Sequence, residues 1–164
     1  MATAGTVKNQ YFTYSFAGEG HAKQGEHREA YRYYGLAAKK AEAVLEQATL
    51  SGEVNEWRVH AAYSRIYAGK NAMKVWQDEK ALTQDREKTD PWFHRALGQF
   101  ADAKAHLKEL ILEGVPLGTL LDVYEAHRRR MKHKDEYAGE LLKLQPPGPR
   151  PASGPQKQGL GRIP

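Results

Sequence analysis

Apolar residues recur at spacings of three and four along most of this chain, and no alternating pattern extends beyond a few residues. This spacing puts apolar side chains on one face of an α-helix, whereas a half-buried strand alternates. Ala, Leu, Glu, Lys, Gln and Arg, all of which favour helices, dominate the same stretches. The sequence therefore predicts an all-α fold, a single-domain bundle of about five helices in antiparallel hairpins over residues 1–144.

Local start and stop signals set the bounds of these helices. The clearest helix has Asp90 as its predicted cap and Pro91 in the first helical position, and it ends at Gly114. The next helix begins near Pro116 and ends before Pro146. Earlier helices are predicted over residues 11–23, 26–48 and 53–82, with residues 83–88 as an exit loop.

The end of the chain differs in composition from the rest. Residues 145–164 contain six prolines, four glycines and no acidic side chain. Such a segment buries too little apolar surface to offset the entropy lost on ordering, so a disordered, basic, flexible tail is predicted. From Leu117 onward there are nine basic and five acidic residues, so +4 of the formal net charge of +5 lies in this part of the chain.

Composition excludes several kinds of chemistry. The chain has no cysteine, so disulfides, cysteine-based zinc sites, thiol nucleophiles and iron–sulfur clusters are excluded. No His-Glu-x-x-His motif is present, and no carboxylate stands three residues before any of the seven histidines, so no metal site is predicted. Phosphate loops, dinucleotide fingerprints and nucleophile elbows are also absent from the sequence. We therefore expect a protein that is not an enzyme and that binds no cofactor.

Apolar runs in the sequence are only a few residues long, whereas a membrane helix needs about 20 such residues. The N-terminal segment MATAGTVKNQ lacks the apolar core of a secretory signal. The sequence therefore predicts a cytoplasmic protein that has no membrane partner.

The first predicted hairpin resembles one unit of a tetratricopeptide repeat, a helix hairpin of about 34 residues. In a unit from Tyr11 to Val44, Tyr14 takes the first aromatic position, and Ala17 and Gly18 take the positions of the small pair. Gly25 precedes the second helix, which carries Ala30, Tyr34 and Ala37 at its alternating small and aromatic positions. Residues 25–45 are equally similar to the second helix of three-helix domains from microtubule-interacting and trafficking proteins. Either resemblance implies an antiparallel helix hairpin with a binding role.

Five basic residues crowd into the last predicted helix: Arg128, Arg129, Arg130, Lys132 and Lys134. They spread over much of the helix circumference, and such a cluster could contact the phosphates of RNA or DNA with salt-sensitive affinity. The alternative is a solvated helix face in which these residues pair with Asp135 and Glu136.

Aromatic residues cluster in the first two predicted helices: Tyr11, Phe12, Tyr14, Phe16, Tyr31, Tyr33 and Tyr34. Tyr31 and Tyr34 share one side of a helix while Tyr33 points elsewhere, so not all of these rings can be buried. Exposed tyrosines favour a protein interface or stacking on bases, and Tyr11, Tyr14, Tyr31 and Tyr33 are the predicted interface residues. The alternative is that the rings fill space between helices, which Phe12 and Phe16 fit well because they are four residues apart.

Together these patterns favour a non-catalytic helical interaction subunit that docks on protein partners within a larger assembly. The alternative is a helical subunit that binds a nucleic-acid backbone through its basic last helix.

Overall fold

The computed structural model describes residues 3–130, without the side chains of Ala4, Arg86, Lys88, Arg128 and Arg130. This part of the chain contains no strand, and its five helices are α1 Ala4–Lys23, α2 His27–Gln47, α3 Ser51–Leu82, α4 Arg86–Leu112 and α5 Leu120–Arg130. The predicted all-α fold is confirmed. None of these helices combines the length and the apolarity that crossing a membrane requires. The predicted tail and the continuation of the last predicted helix beyond residue 130 lie outside the described residues.

Consecutive helices form antiparallel hairpins, and glycines make the turns that follow α1 and α4. After α1, Gly25 adopts φ 77°, and the N–H groups of Gly25 and Glu26 donate to the carbonyls of Ala22 and His21 at 3.0 and 2.9 Å. This bonding closes the end of the helix and favours glycine, because other residues are strained at positive φ. Gly114, with φ 73°, ends α4 in the same way, as the sequence predicts.

The start of α4 differs from the prediction. Asp85, and not Asp90, caps the helix, and its carboxylate accepts the N–H of Glu87 at 3.0 Å. The added first turn buries Thr89, which is 1% exposed. Pro91 therefore lies inside the helix and leaves the carbonyl of Glu87 without its usual intrahelical donor. The predicted exit loop shrinks to residues 83–85.

The first helix also begins earlier than the predicted Tyr11. Thr3 caps it, because the Thr3 hydroxyl accepts the N–H of Thr6 at 3.2 Å. The helix then continues without a break to Lys23, through both of its interior glycines. As a result α1 has 20 residues, and about two more turns of helix surface than the sequence indicated.

The central helix is α3, which packs between α2 and α4. On its α2 side, Ala61 and Ala68 cluster with Ala30, Ala37 and Ala41 of α2, and all five are fully buried. Small side chains on both helices let the two backbones approach closely. The α2–α3 hairpin is therefore joined along an alanine seam.

On its other side, α3 meets α4 through Gly69. Phe100 lies directly over this glycine, and a Cβ added to Gly69 would be 2.8 Å from Phe100 Cε1. Phe100 is fully buried and contacts Tyr124 of α5 edge-on, with ring centroids 6.1 Å apart. The missing side chain thus makes room for the ring that joins α3, α4 and α5.

Longer side chains connect helices that are not consecutive in the chain. Lys8 of α1 pairs with Glu53 of α3 at 2.9 Å, and Tyr31 of α2 packs edge-on against Trp92 of α4 at 5.2 Å. The α5 helix packs against α3 and α4. The α1 helix therefore packs on α2 and α3 at one side of the bundle, and its opposite face points to solvent.

We expect Gly69→Ala to lower the free energy of unfolding by about 1–2 kcal/mol, because the new methyl group collides with the Phe100 ring. Gly98→Ala is the matched control: Gly98 is an exposed glycine of α4 with no atom within 4 Å of an added Cβ. Its replacement should raise the free energy by up to about 1 kcal/mol through helix propensity. Urea unfolding measures both values, and equal stabilisation by the two variants would contradict the packing role of Gly69.

Candidate protein interface on the first helix

The α1 helix packs on the bundle through one aromatic residue above all. Tyr11 is 3% exposed, lies edge-on against Trp57 at 5.2 Å, and shares a 3.2 Å hydrogen bond between its hydroxyl and His60 Nδ1. Burial raises the pKa of Tyr11. Tyr11, one of the predicted interface residues, is therefore part of the α1–α3 core in this structure.

Two other predicted interface residues, Tyr14 and Tyr33, form a stack along the α1–α2 seam. Their ring centroids are 6.1 Å apart, and Tyr33 also stacks on His21 at 5.3 Å with an angle of 2° between the planes. The Arg32 guanidinium lies 4.5 Å from the centroid of the Tyr33 ring. Both tyrosines are half-buried, so the stack closes the seam while one edge of it stays in contact with solvent.

Tyr31 lies apart from these residues. It packs on Trp92 of α4 and is half-buried against the main core. The four predicted tyrosines therefore do not form one surface: one is in the core, two line the α1–α2 seam, and one joins α2 to α4.

Among residues 3–130 the exposed aromatic residues are Phe12 and Phe16, which the core-filling interpretation placed inside. Phe12 is 40% exposed and Phe16 is 68% exposed, with their centroids 6.5 Å apart. Successive helical residues are rotated by about 100°, so once Tyr11 faces the core, Phe12 lies at its edge and Phe16 points further outward. Phe12 touches Trp57 and His60 edge-on, at 5.9 and 5.6 Å.

The surface around these two rings also contains one ion pair, in which Lys23 contacts Glu19 at 3.2 Å. We call this surface the α1 outer face, and it consists of the exposed residues of the helix: Gly5, Thr6, Asn9, Phe12, Thr13, Phe16, Glu19, Gly20 and Lys23. Only three of the 20 residues of α1 are Lys, Arg, Asp or Glu, compared with seven of the 21 in α2, which lies between α1 and α3. Although one whole face of α1 is exposed to solvent, α1 thus has fewer charged residues than α2.

The three charged residues of α1 already have partners, and of these Glu19 and Lys23 lie on the outer face while Lys8 lies at its edge. Lys8 pairs with Glu53 of α3 at 2.9 Å, and Lys23 pairs with Glu19 of its own helix at 3.2 Å. Their side chains remain 32%, 74% and 49% exposed for Lys8, Lys23 and Glu19, so each is still accessible to a second partner.

The predicted nucleic-acid cluster is only partly described. Arg128, Arg129 and Arg130 form the last turn of α5, and the Arg129 side chain is exposed. The side chains of the other two arginines, and all of Lys132 and Lys134, lie outside the described part of the chain. Phosphate binding by this cluster therefore stays a prediction.

A polar network joins three helices on the other side of α3, and the sequence analysis did not find it. Arg65 donates to both carboxylate oxygens of Glu42, at 3.1 and 2.6 Å, and to Gln99 at 3.0 Å, while His106 Nε2 donates to Glu42 at 2.8 Å. Burial opposes ionisation of Glu42, but the bonds from His106 and Arg65 outweigh it and lower the pKa of Glu42 to about 2. These bonds use both oxygens of the carboxylate, so the network is a structural link.

Residues 3–130 contain no group of three His, Asp or Glu side chains that could hold a metal ion. No protein-family model matches the chain, and neither does any curated protein or solved structure. Function is therefore inferred from the described side chains alone, and among these the α1 outer face is the feature that the fold leaves without an explanation.

We expect Glu42→Gln to lower the free energy of unfolding by roughly 2–3 kcal/mol at pH 7. The folded-state pKa of Glu42, about 2, lies below its ordinary value of 4.5, so the ionised carboxylate stabilises the fold above that value. This stabilisation is lost as the pH falls from about 5 toward 2, so the variant and the wild type should converge there. Urea unfolding across this range measures the effect, with Glu46→Gln, an exposed position of α2, as the control. A difference that does not change with pH would contradict the assignment.

Proposed function

We propose that this chain is a non-catalytic helical interaction subunit that docks on a protein partner through the α1 outer face. The observation that carries the proposal is the exposure of Phe12 and Phe16, at 40% and 68%, side by side on the solvent-exposed face of α1. Singly exposed apolar residues are common on protein surfaces, whereas adjacent exposed large rings are typical of interaction sites.

The energetics support a docking role for this face. A phenylalanine side chain buries about 200 Å² when it is fully enclosed. A partner that covers the exposed fractions of Phe12 and Phe16, 40% and 68%, therefore removes roughly 200 Å² of apolar surface from water. At about 25 cal/mol per Å² this amounts to roughly 5 kcal/mol before the entropy of association is subtracted. Two adjacent rings can thus act as the central anchor of an interface, with the threonine, asparagine and glycine positions around them.

The kind of partner follows from the backbone. The N–H and C=O groups along the middle of α1 are bonded within the helix, so this surface cannot add a strand to itself and must bind through side chains. The two charged residues of the face, Glu19 and Lys23, have opposite sign and pair with each other, so a strongly acidic or basic partner would gain little from it. The proposal is therefore that the partner presents a mainly apolar surface, most simply another helix.

The resemblance of the first hairpin to a tetratricopeptide unit agrees with a binding role, as a likeness between folds and not as a demonstrated activity. Tyr14 and Tyr33, which stack along the α1–α2 seam, are not part of this face.

The test is affinity capture by the tagged full-length chain, comparing the wild type with Phe16→Asp. Phe16 is the more exposed ring, so aspartate there should leave the fold intact while placing a charge in the centre of the interface. We expect retention of partner proteins, untagged copies of this chain included, to fall by about tenfold or more.

Leu50→Asp is the matched control, because it adds the same charge at another exposed apolar residue, 73% exposed, in the N-cap position of α3. Aspartate is also a good N-cap residue, so this variant should fold as well as the wild type. Circular dichroism of both variants checks helicity. Equal retention by the wild type, Phe16→Asp and Leu50→Asp would rule out the α1 outer face as the docking surface.

A further inference from the structure

We infer that the partner of the α1 outer face is a second copy of this chain, with the two α1 helices packed antiparallel about a two-fold axis near Thr13 and Tyr14. This inference rests on the proposed function, because it identifies the occupant of the same face. In a symmetric dimer each copy contributes the same surface, so the surface must complement itself. The positions of the rings and of the flanking charges meet this requirement.

The rings complement each other in the antiparallel arrangement. Phe12 and Phe16 stand at equal distances on either side of residue 14, close to the middle of the 20-residue helix. An axis at that point sets Phe12 of one copy beside the partner subunit's Phe16, and the reverse, so four rings meet at the centre of the contact. Toward the helix ends, Gly5 and Gly20 have no side chains of their own, which leaves space there for side chains of the other copy.

The charges agree with the same axis. Lys8 and Glu19 are eleven residues apart, about three helical turns, and therefore lie along the same side of α1. Antiparallel pairing places Lys8 of each copy near the partner subunit's Glu19, giving two symmetric pairs of opposite sign. A parallel arrangement would instead place like charges together. Charge complementarity therefore favours a second copy in the antiparallel orientation.

The rings supply about a third of the surface that a stable dimer buries. The four rings supply about 400 Å² of buried surface, given exposures of 40% and 68% on each copy. A stable interface buries about 1,200 Å² or more in total, and the remainder must come from the threonine, asparagine and flanking positions along about 30 Å of helix. A dimer at the small end of this range should dissociate on dilution, so its measurement requires a concentration series.

The first experiment is sedimentation velocity of the full-length chain over such a series. The wild type should show a concentration-dependent dimer. Phe16→Asp should weaken dimerisation about a hundredfold, because two charges enter the ring cluster. Glu19→Lys should weaken it about tenfold, because each new lysine meets the partner subunit's Lys8. Leu50→Asp should dimerise like the wild type.

The second experiment uses the absence of cysteine in the chain. A single cysteine at Thr13, exposed and next to the axis, should form a disulfide-linked dimer under mild oxidation. The same change at Gln47, exposed at the far end of α2, should not. Loss of the Thr13→Cys cross-link on adding Phe16→Asp would tie the contact to the rings.

A chain that stays monomeric throughout the series, or one that dimerises equally well with Phe16→Asp, would overturn the inference. These outcomes are separable from failure of the proposed function. A monomeric wild type that still captures another protein through Phe16 keeps the α1 outer face as a docking surface and rules out only the second copy. If the wild type is monomeric and Phe16→Asp does not change its capture of other proteins, both the dimer and the α1 outer face as a docking surface are ruled out.

Discussion

The close approach of α3 to its two neighbours is the constraint on which the rest of the bundle depends. Alanines on both sides of the α2–α3 contact bring those backbones together, and Gly69 provides the space that the Phe100 ring fills. Because Phe100 also meets Tyr124, this one gap fixes α3, α4 and α5 relative to one another. The bond network around Arg65 adds a polar link between α2, α3 and α4, where a change in any partner would leave a charge poorly solvated.

With α3 packed between α2 and α4, α1 packs on the surfaces of α2 and α3 that these contacts leave exposed. It packs beside α2 and reaches α3 through Tyr11, whose ring fills the core and whose hydroxyl has His60 as a hydrogen-bond partner. A phenylalanine at that position would leave His60 Nδ1 without this partner, which is a physical reason for tyrosine to lie inside while Phe12 and Phe16 lie outside. Which aromatic residues of α1 are buried and which are exposed thus depends on their hydrogen-bonding capacity as well as on their hydrophobicity.

Periodicity alone was sufficient to predict the helices, because spacings of three and four persist over several turns in each of them. It could not fix their starts: Asp85 and Asp90 are equally good caps, and only the burial of Thr89 within the bundle distinguishes them. Nor could it decide which aromatic side of α1 faces inward, since Tyr11 and Phe12 are adjacent in the chain. The scarcity of charge in α1 was visible in the sequence and would have indicated a covered face. The contact of Glu42 with Arg65 and His106 had no local signal, because these residues belong to three different helices.

The α1 outer face and the basic cluster predicted from the sequence are carried by different helices, and this separation matters for function. The α1 outer face lies on the helix that packs against α2 and α3, whereas the basic cluster begins in the last turn of α5, which packs against α3 and α4. A partner bound along α1 uses none of the contacts that hold α5, so occupation of one surface does not require the loss of the other. If α1 pairs with a second copy, each dimer presents two copies of the α5 end, and any weak affinity of that end for a polyanion would be increased by bivalent attachment. If α1 dimerises in this way, pairing through α1 would complement the predicted salt-sensitive binding by the basic cluster, since it brings together two copies of that cluster.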